Sequence, residues 1–213
     1  MVDVDSENLG EPLPRAEDLR HFQGRTRMIE THLDSLSGQL PIGGLAVDVG
    51  CGLGMGAIAL ANRGFASIGV DIDSSNRLLP FALTQARKSG LVANLTLTEE
   101  GLPLPLPNSR QVLLVHGDAA DLQVADNSVD LVTAFYVSGP RSERDHWTDI
   151  AQRCLRVLKP GAPILITTED GSREGLAKGM LRGLGFTSVS SEPIRTPGVL
   201  DTCVIIGRKP FAP

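Results

Sequence analysis

A glycine-rich turn follows a short apolar segment near residue 50, and an acidic side chain stands just before it. The segment reads Ala46-Val47-Asp48-Val49-Gly50-Cys51-Gly52-Leu53-Gly54. Glycines allow the backbone to turn sharply, and they allow a ligand to approach the main chain without a Cβ in the way. The amides at the start of a following helix can face an anionic or electron-rich group. The pattern therefore predicts a ligand-binding crevice at the carboxyl end of a strand.

Taken alone, the turn is compatible with a dinucleotide site. The pattern G-x-G-x-x-G/A is satisfied by Gly52, Gly54 and Ala57. Asp71 stands where a ribose-binding acid is expected. That frame nevertheless places Gly50 and Cys51 in the preceding strand, where they fit poorly. In addition, Asp48 lies at an otherwise apolar strand end, where a buried carboxylate needs a polar partner.

Five blocks of the sequence together resemble the motifs of class I S-adenosylmethionine-dependent methyltransferases, in family order and with family-like spacing. The blocks are 46–64, 69–73, 116–122, 126–132 and 153–161. The resemblance covers about residues 45–168 and points to the small-molecule branch of the family. It implies transfer of a methyl group from S-adenosyl-L-methionine to an O, N or C atom of a small organic acceptor, with release of S-adenosyl-L-homocysteine. Catalysis by in-line displacement then consists mainly of positioning.

The resemblance implies cofactor-binding roles at the carboxyl ends of the first two strands. Asp48 would hold the aminoacyl part of the cofactor, because a carboxylate pairs with an ammonium group. Asp71 would accept hydrogen bonds from both ribose hydroxyls. The floor beneath the methionine and ribose would be formed by Gly50, Cys51, Gly52 and Gly54.

Further roles are implied at the adenine and at the methyl group. Ile72 would pack against the adenine face. Asp118 would accept a hydrogen bond from the adenine amino group, while the Ala119 amide donates to a ring nitrogen. Phe135 and Tyr136 would line the route to the methyl group.

A general base is needed only if the acceptor atom has a proton to lose. The candidates near strand ends are Tyr136, His146, Glu169 and Asp170. Tyr136 is the preferred catalytic residue, and the alternative is that it only walls the pocket. His146 is the second catalytic candidate, and the alternative is an exposed helical residue.

The elements that position these residues alternate between strand and helix, which predicts an α/β fold with a doubly wound, mostly parallel, seven-stranded sheet covered by helices on both faces. Two final strands without a helix between them predict a C-terminal antiparallel hairpin. The predicted strands are 45–49, 67–70, 111–115, 128–136, 163–168, 186–190 and 202–207. The predicted helices after the N-terminal one are 56–63, 76–89, 143–158 and 174–184. Residues 1–14 are expected to be a flexible segment, and 15–213 a single domain.

An N-terminal helix is predicted over about 16–36. Its apolar stripe consists of Leu19, Phe22, Ile29, Leu33 and Leu36. A second stripe on the helix consists of His21, Arg25, Met28 and His32. This second stripe is either a half-buried lid edge over the acceptor site, with Arg25 meeting an acidic substrate, or a solvated flank.

The segment 94–110 departs from the alternating rhythm. Pro103, Pro105 and Pro107 favour an extended path and exclude a central strand. An exposed connection is expected here, with a lid or a subunit contact as the alternative. Residues 95–98 alone are compatible with a short extra strand.

Composition limits the partners. The 213 residues carry a net charge of −5, which disfavours binding to nucleic acid or to anionic membranes. The three cysteines show no CxxC or Cys/His spacing, so neither a disulfide framework nor a metal site is expected. Without a leader-like N-terminus or a long apolar run, a cytoplasmic protein is expected, and a homodimer is left open.

Two other functions stay open from the sequence. The first is a relative that binds S-adenosylmethionine but has a cyclase-like or regulatory role, because methyl transfer leaves no obligatory catalytic signature. The second is a nicotinamide-dependent oxidoreductase, which the dinucleotide pattern allows.

Overall fold

The fold is built on one mixed β-sheet, and the glycine turn lies at the carboxyl end of its first strand. The computed structural model describes residues 16–72, 78–97, 108–135, 146–168, 173–194 and 202–211. The strands are β1 (Gly44–Val49), β2 (Phe65–Asp71), β3 (Val92–Leu97), β4 (Gln111–His116), β5 (Leu131–Ala134), β6 (Pro163–Thr168), β7 (Thr187–Ile194) and β8 (Thr202–Arg208). Their order is β3-β4-β2-β1-β5-β6-β8-β7. Strands β1 to β6 pair in parallel, whereas β8 is antiparallel to both β6 and β7.

Helices cover both faces of this sheet. They are α1 (Ala16–Ser35), α2 (Met55–Asn62), α3 (Leu78–Lys88), α4 (His146–Val157) and α5 (Glu174–Gly183). On one face, Ile29 of α1 and Leu60 of α2 pack against sheet residues such as Leu131. On the other face, Trp147 of α4 packs in a cluster with Val132. The predicted fold class, with helices on both faces and a C-terminal antiparallel hairpin, is confirmed.

Within the residues that the structure describes, the sheet has eight strands, one more than predicted. The additional strand β3 includes most of the 95–98 segment that was compatible with a strand, so the exposed connection predicted for 94–110 is wrong for 94–97. Burial alternates along its start, since Ala93 is buried while Val92 and Asn94 are exposed. Strand β3 lies at the sheet edge, which explains its weak apolar signal. The three prolines of the following segment lie outside the described residues.

Helix α1 buries more of its surface than the apolar stripe alone. Ile29, Leu33 and Leu36 are buried as predicted. Met28 and His32 of the second stripe are buried too, so a solvated flank is wrong at these two positions. The side chain of His21 and the N-terminal segment 1–14 lie outside the described residues. In the part of the chain that the structure describes, no helix is both long and apolar enough to cross a membrane.

Candidate active site at the carboxyl edge of the sheet

The carboxyl ends of three parallel strands bring three acidic residues to one edge of the sheet. Strand pairing places Asp48 of β1 beside Thr133 of β5. Asp71 is the last residue of β2 and pairs with His116, the last residue of β4. Asp118 follows β4 after a single glycine. This edge is where ligands bind in open α/β sheets.

Asp48 is the most deeply buried of these acids, with 2% of its surface exposed. The Thr133 hydroxyl donates to Asp48 Oδ1 at 2.7 Å, and the Ala57 amide also donates to the carboxyl group. Burial raises the pKa of Asp48 to about 7; the two hydrogen bonds oppose this rise, and the nearby charge of Asp71 adds to it. The expected polar partner therefore exists, although the sequence did not identify it as Thr133.

The glycine turn is attached to the end of β2. The Gly52 amide donates to Asp71 Oδ2 at 2.7 Å. Gly52 has a φ of +48° and Gly54 a φ of +78°, a left-handed region that side chains disfavour. A Cβ at Gly54 would also lie 2.6 Å from the Cβ of Ala82 in α3. Both glycines are thus required by backbone geometry, and Gly54 also by the close packing of α3.

A cleft of about 230 Å³ opens above this turn. Its floor includes predicted cofactor residues, namely Asp48, Gly50, Cys51 and Gly52. Phe135, also predicted, contributes one wall, and Arg25 and Ile29 of α1 contribute to the lining as well. The lining residues that sequence reasoning missed are Ile29, Leu53, Met55, Gly56 and Leu78. Helix α1 therefore borders the cleft, as in the lid-edge interpretation of its second stripe.

A second group of predicted residues follows β2 and β4. Ile72 is 66% exposed, which leaves an apolar side chain available to a planar ligand. Asp118 begins a short 3-10 helix (Ala119–Asp121), and its Oδ1 accepts a hydrogen bond from the Ala120 amide at 2.8 Å. Ala119 is buried beside it.

His146 belongs to this second group rather than to the cleft. Its Nε2 lies 2.9 Å from Asp118 Oδ1, and it is not among the residues that line the cleft. The structure therefore places this catalytic candidate beside the residue predicted to bind adenine. The other candidates, Tyr136, Glu169 and Asp170, lie outside the described residues.

Cys51 acts as a small floor residue. It is buried, and burial raises the pKa of its thiol well above the usual value, with the charges of Asp48 and Asp71 adding to the effect. A thiolate nucleophile is therefore disfavoured here. The Cys51 Sγ lies against Gly69 of β2, so closely that a Cβ added at Gly69 would be only 3.0 Å from it.

Comparison with known families decides between the two classes of ligand. Residues 47–166, more than half of the chain, match the profile of the methyltransferase domain. The chain belongs to the methyltransferase domain family. The matched region contains every predicted cofactor-binding residue, and the cofactor of this methyltransferase is S-adenosylmethionine. The dinucleotide interpretation of the turn is not retained.

Solved structures share the fold at low sequence identity. A SAM-dependent methyltransferase from Methanosarcina mazei is 19% identical with a TM-score of 0.59, covering 83% of this chain and 97% of its own. The magnesium protoporphyrin IX methyltransferase of Synechocystis PCC 6803, with bound SAM, is 18% identical with a TM-score of 0.63, covering 91% and 82%. The third is the 1,6-didemethyltoxoflavin-N1-methyltransferase of Burkholderia thailandensis, with bound 1,6-didemethyltoxoflavin and S-adenosylhomocysteine. It is 18% identical with a TM-score of 0.61, and the match covers 91% of this chain and 82% of its own. Among curated proteins, no sequence matches significantly.

The residues of the site fit this cofactor. A Cβ added at Gly52 would meet nothing closer than Asp71 Oδ2 at 3.9 Å, so the bare main chain leaves room for a ligand. The buried acid Asp48 suits the ammonium group of the cofactor, and the acid Asp71 suits the ribose hydroxyls. The exposed apolar side chain of Ile72 suits the adenine ring. When bound, the cofactor supplies a methyl group activated by its own sulfonium.

If Asp71 has the ribose-binding role that the resemblance implies, replacing it by alanine should weaken S-adenosylmethionine binding by about 1–3 kcal/mol, because the ribose hydroxyls would lose a charged acceptor. The Gly52 amide loses its partner as well. Titration calorimetry measures the effect, and circular dichroism checks the fold. Asp34→Ala is the control, since Asp34 is an exposed acid paired with Arg63 on the surface. Equal affinities of the Asp71 variant and the native protein would contradict the assignment.

Proposed function

We propose that this methyltransferase transfers the methyl group to an oxygen, nitrogen or carbon atom of a small organic acceptor by in-line displacement. The observation that supports this proposal most is that α1 borders the cleft above the glycine turn. Arg25 and Ile29 share a cleft of about 230 Å³ with Asp48 and Gly52. A cleft bordered by a helix can enclose a small acceptor, whereas a macromolecular substrate usually needs a broader exposed surface. The net charge of −5 also argues against nucleic acid.

In this proposal the acids at the strand ends bind the cofactor. Asp48 holds the ammonium of the aminoacyl part, Asp71 accepts from the ribose hydroxyls, and Asp118 accepts from the adenine amino group. Gly50, Cys51, Gly52 and Gly54 form the floor. Ile72 covers the adenine face, and the Ala119 amide donates to a ring nitrogen.

The acceptor is proposed to lie between α1 and Phe135. The walls there are mostly apolar, with Ile29, Met55 and Phe135 at the cleft. Arg25 adds a guanidinium group, which is suited to a carboxylate or phosphate on the acceptor. Tyr136 follows Phe135 directly in the sequence, and it remains the proposed residue for positioning or deprotonating the acceptor. Two solved relatives act on small organic molecules, which supports this acceptor class.

The test is acceptor-dependent formation of S-adenosylhomocysteine by the purified protein. A panel of small acids, phenols, amines and heterocycles is offered with S-adenosylmethionine, and the product is measured by mass spectrometry. We expect turnover with at least one acceptor, and a markedly higher KM for an anionic acceptor in Arg25→Met with unchanged cofactor affinity. Cofactor binding without turnover across the panel would favour a cyclase-like or regulatory role and would contradict the proposal.

A further inference from the structure

The Asp118 carboxylate receives both of its described contacts on a single oxygen. The Ala120 amide donates to Oδ1 at 2.8 Å, and His146 Nε2 lies 2.9 Å from the same atom. Among the residues that the structure describes, no donor reaches Oδ2. One carboxylate oxygen is thus held by the protein, while the other is left for a ligand.

The two contacts come from different elements, which restricts the orientation of the carboxylate. The Ala120 amide belongs to the short 3-10 helix that Asp118 itself begins, whereas His146 is the first residue of α4. The Asp118 side chain is 34% exposed. A local backbone contact alone leaves such a side chain considerable freedom. A second donor from a separate helix removes much of it.

Helix α4 is fixed against the segment that follows Asp118. Arg153 Nε donates to the Leu122 carbonyl at 2.7 Å, and its guanidinium also reaches the Val124 carbonyl at 3.0 Å. Trp147, next to His146, is buried in the core. These hydrogen bonds and the buried Trp147 hold the start of α4 close to the Asp118 loop. The packing of α4 therefore places His146 beside Asp118.

We propose that His146 is a positioning residue for adenine recognition. Its Nε2–H donates to Asp118 Oδ1 and turns Oδ2 toward the exocyclic amino group of the cofactor. Both the imidazolium and the neutral tautomer protonated at Nε2 can donate this bond. Asp149 Oδ2, 4.0 Å from Nδ1 on the other side of the ring, faces the same imidazole. The inference rests on the proposed adenine role of Asp118 and assigns His146 no part in proton transfer from the acceptor.

The first experiment measures S-adenosylhomocysteine binding to His146 variants by titration calorimetry. We expect His146→Ala to weaken binding about tenfold, the usual effect of losing one hydrogen bond to a charged group. His146→Gln should restore affinity to within about threefold, since its amide can donate to the same oxygen. The matched control Gln152→Ala, at an exposed position farther along α4, should bind normally. Native affinity in His146→Ala, or no recovery in His146→Gln, overturns the proposal.

A double-mutant cycle with Asp118→Ala separates positioning from a general structural effect. If His146 acts through Asp118, adding His146→Ala to Asp118→Ala should cost almost nothing further. S-inosylhomocysteine, which carries a carbonyl oxygen in place of the amino group, supplies a second readout. The native protein should prefer the adenine ligand, and His146→Ala should lose most of that preference. Additive losses, or an equal loss for both ligands, contradict the proposal.

Neither measurement uses an acceptor. Failure here therefore removes His146 from adenine recognition and leaves the turnover test of methyl transfer untouched. Failure to find turnover likewise leaves the binding results valid. Circular dichroism of each variant confirms folding, which we expect to survive because the His146 side chain is 54% exposed.

Discussion

Gly56→Ala is expected to weaken S-adenosylmethionine binding by about 100-fold or more, a loss of at least about 2.7 kcal/mol. A Cβ at position 56 would lie 2.4 Å from Asp48 Oδ2 and 2.6 Å from both Cγ and Oδ1. The carboxylate cannot retreat without cost, because it is buried and bonded to Thr133. The methyl group would therefore displace the group proposed to hold the cofactor's ammonium, or displace the start of α2. We expect a folded protein destabilised by about 1–3 kcal/mol.

Calorimetric titration and urea denaturation measure the two effects. Gly179→Ala in α5 is the matched control, since a Cβ there meets no atom within 4 Å. It should bind the cofactor normally and should be stabilised by about 0.5–1 kcal/mol, because alanine is the better helix residue. Normal cofactor affinity in Gly56→Ala would show that Asp48 does not hold the ligand.

Binding of S-adenosylmethionine is expected to release close to one proton at pH 6. With a pKa of about 7, the Asp48 carboxyl group of the free protein is mostly protonated at that pH. Pairing with an ammonium favours the carboxylate, so the proton leaves when the ligand binds. Below pH 7, the affinity for S-adenosylmethionine should increase about tenfold for each unit by which the pH is raised. Calorimetry at pH 6 in buffers of different ionisation enthalpy counts the released proton.

Asp48→Asn tests whether Asp48 is the source of that proton. The variant should release almost none at pH 6, and it should bind the cofactor at least tenfold more weakly at pH 7.5, since the charge is absent. Proton release that persists in Asp48→Asn would assign the titration to another group.

The same pKa has a consequence for the free protein. An acid whose folded pKa lies above its unfolded value of 3.8 favours the folded state when it is protonated. The stability of the free protein should therefore fall as the pH rises from about 4 to 7, by at most about 4 kcal/mol from this group. Asp48→Asn should flatten that part of the profile.

The central part of the sheet could be predicted because its strands are buried on both faces. Such strands appear as short, continuous apolar runs, as β1 and β6 do. The β5 prediction of 128–136 began too early, because the strand starts at Leu131 and ends at Ala134; residue 136 lies outside the described residues. Val129 instead forms an isolated bridge with Leu158. The apolar residues of this segment indicate that it is buried, but they do not indicate at which residue the strand begins to pair with its neighbours.

The contacts between strands and helices could not be predicted from sequence patterns. A polar partner for Asp48 was expected on energetic grounds, but the sequence does not contain the register that places Thr133 beside it. His146 was taken as a candidate at the methyl group because it follows the fourth predicted strand. Its position beside Asp118 depends on how α4 packs against the 119–124 segment, which is a tertiary property.

The bond between Thr133 and Asp48 joins residues 85 positions apart in the chain. A partly folded chain in which β1 and β5 have not yet paired lacks this bond and therefore lacks an intact cofactor site. S-adenosylmethionine should then bind only molecules whose central sheet is complete, and at 100 times its Kd it would stabilise them by about 2.7 kcal/mol. Proteolysis that requires opening of the β1–β5 pair should slow by about the corresponding factor of 100. Cofactor supply would thus influence how long the protein survives in the presence of proteases.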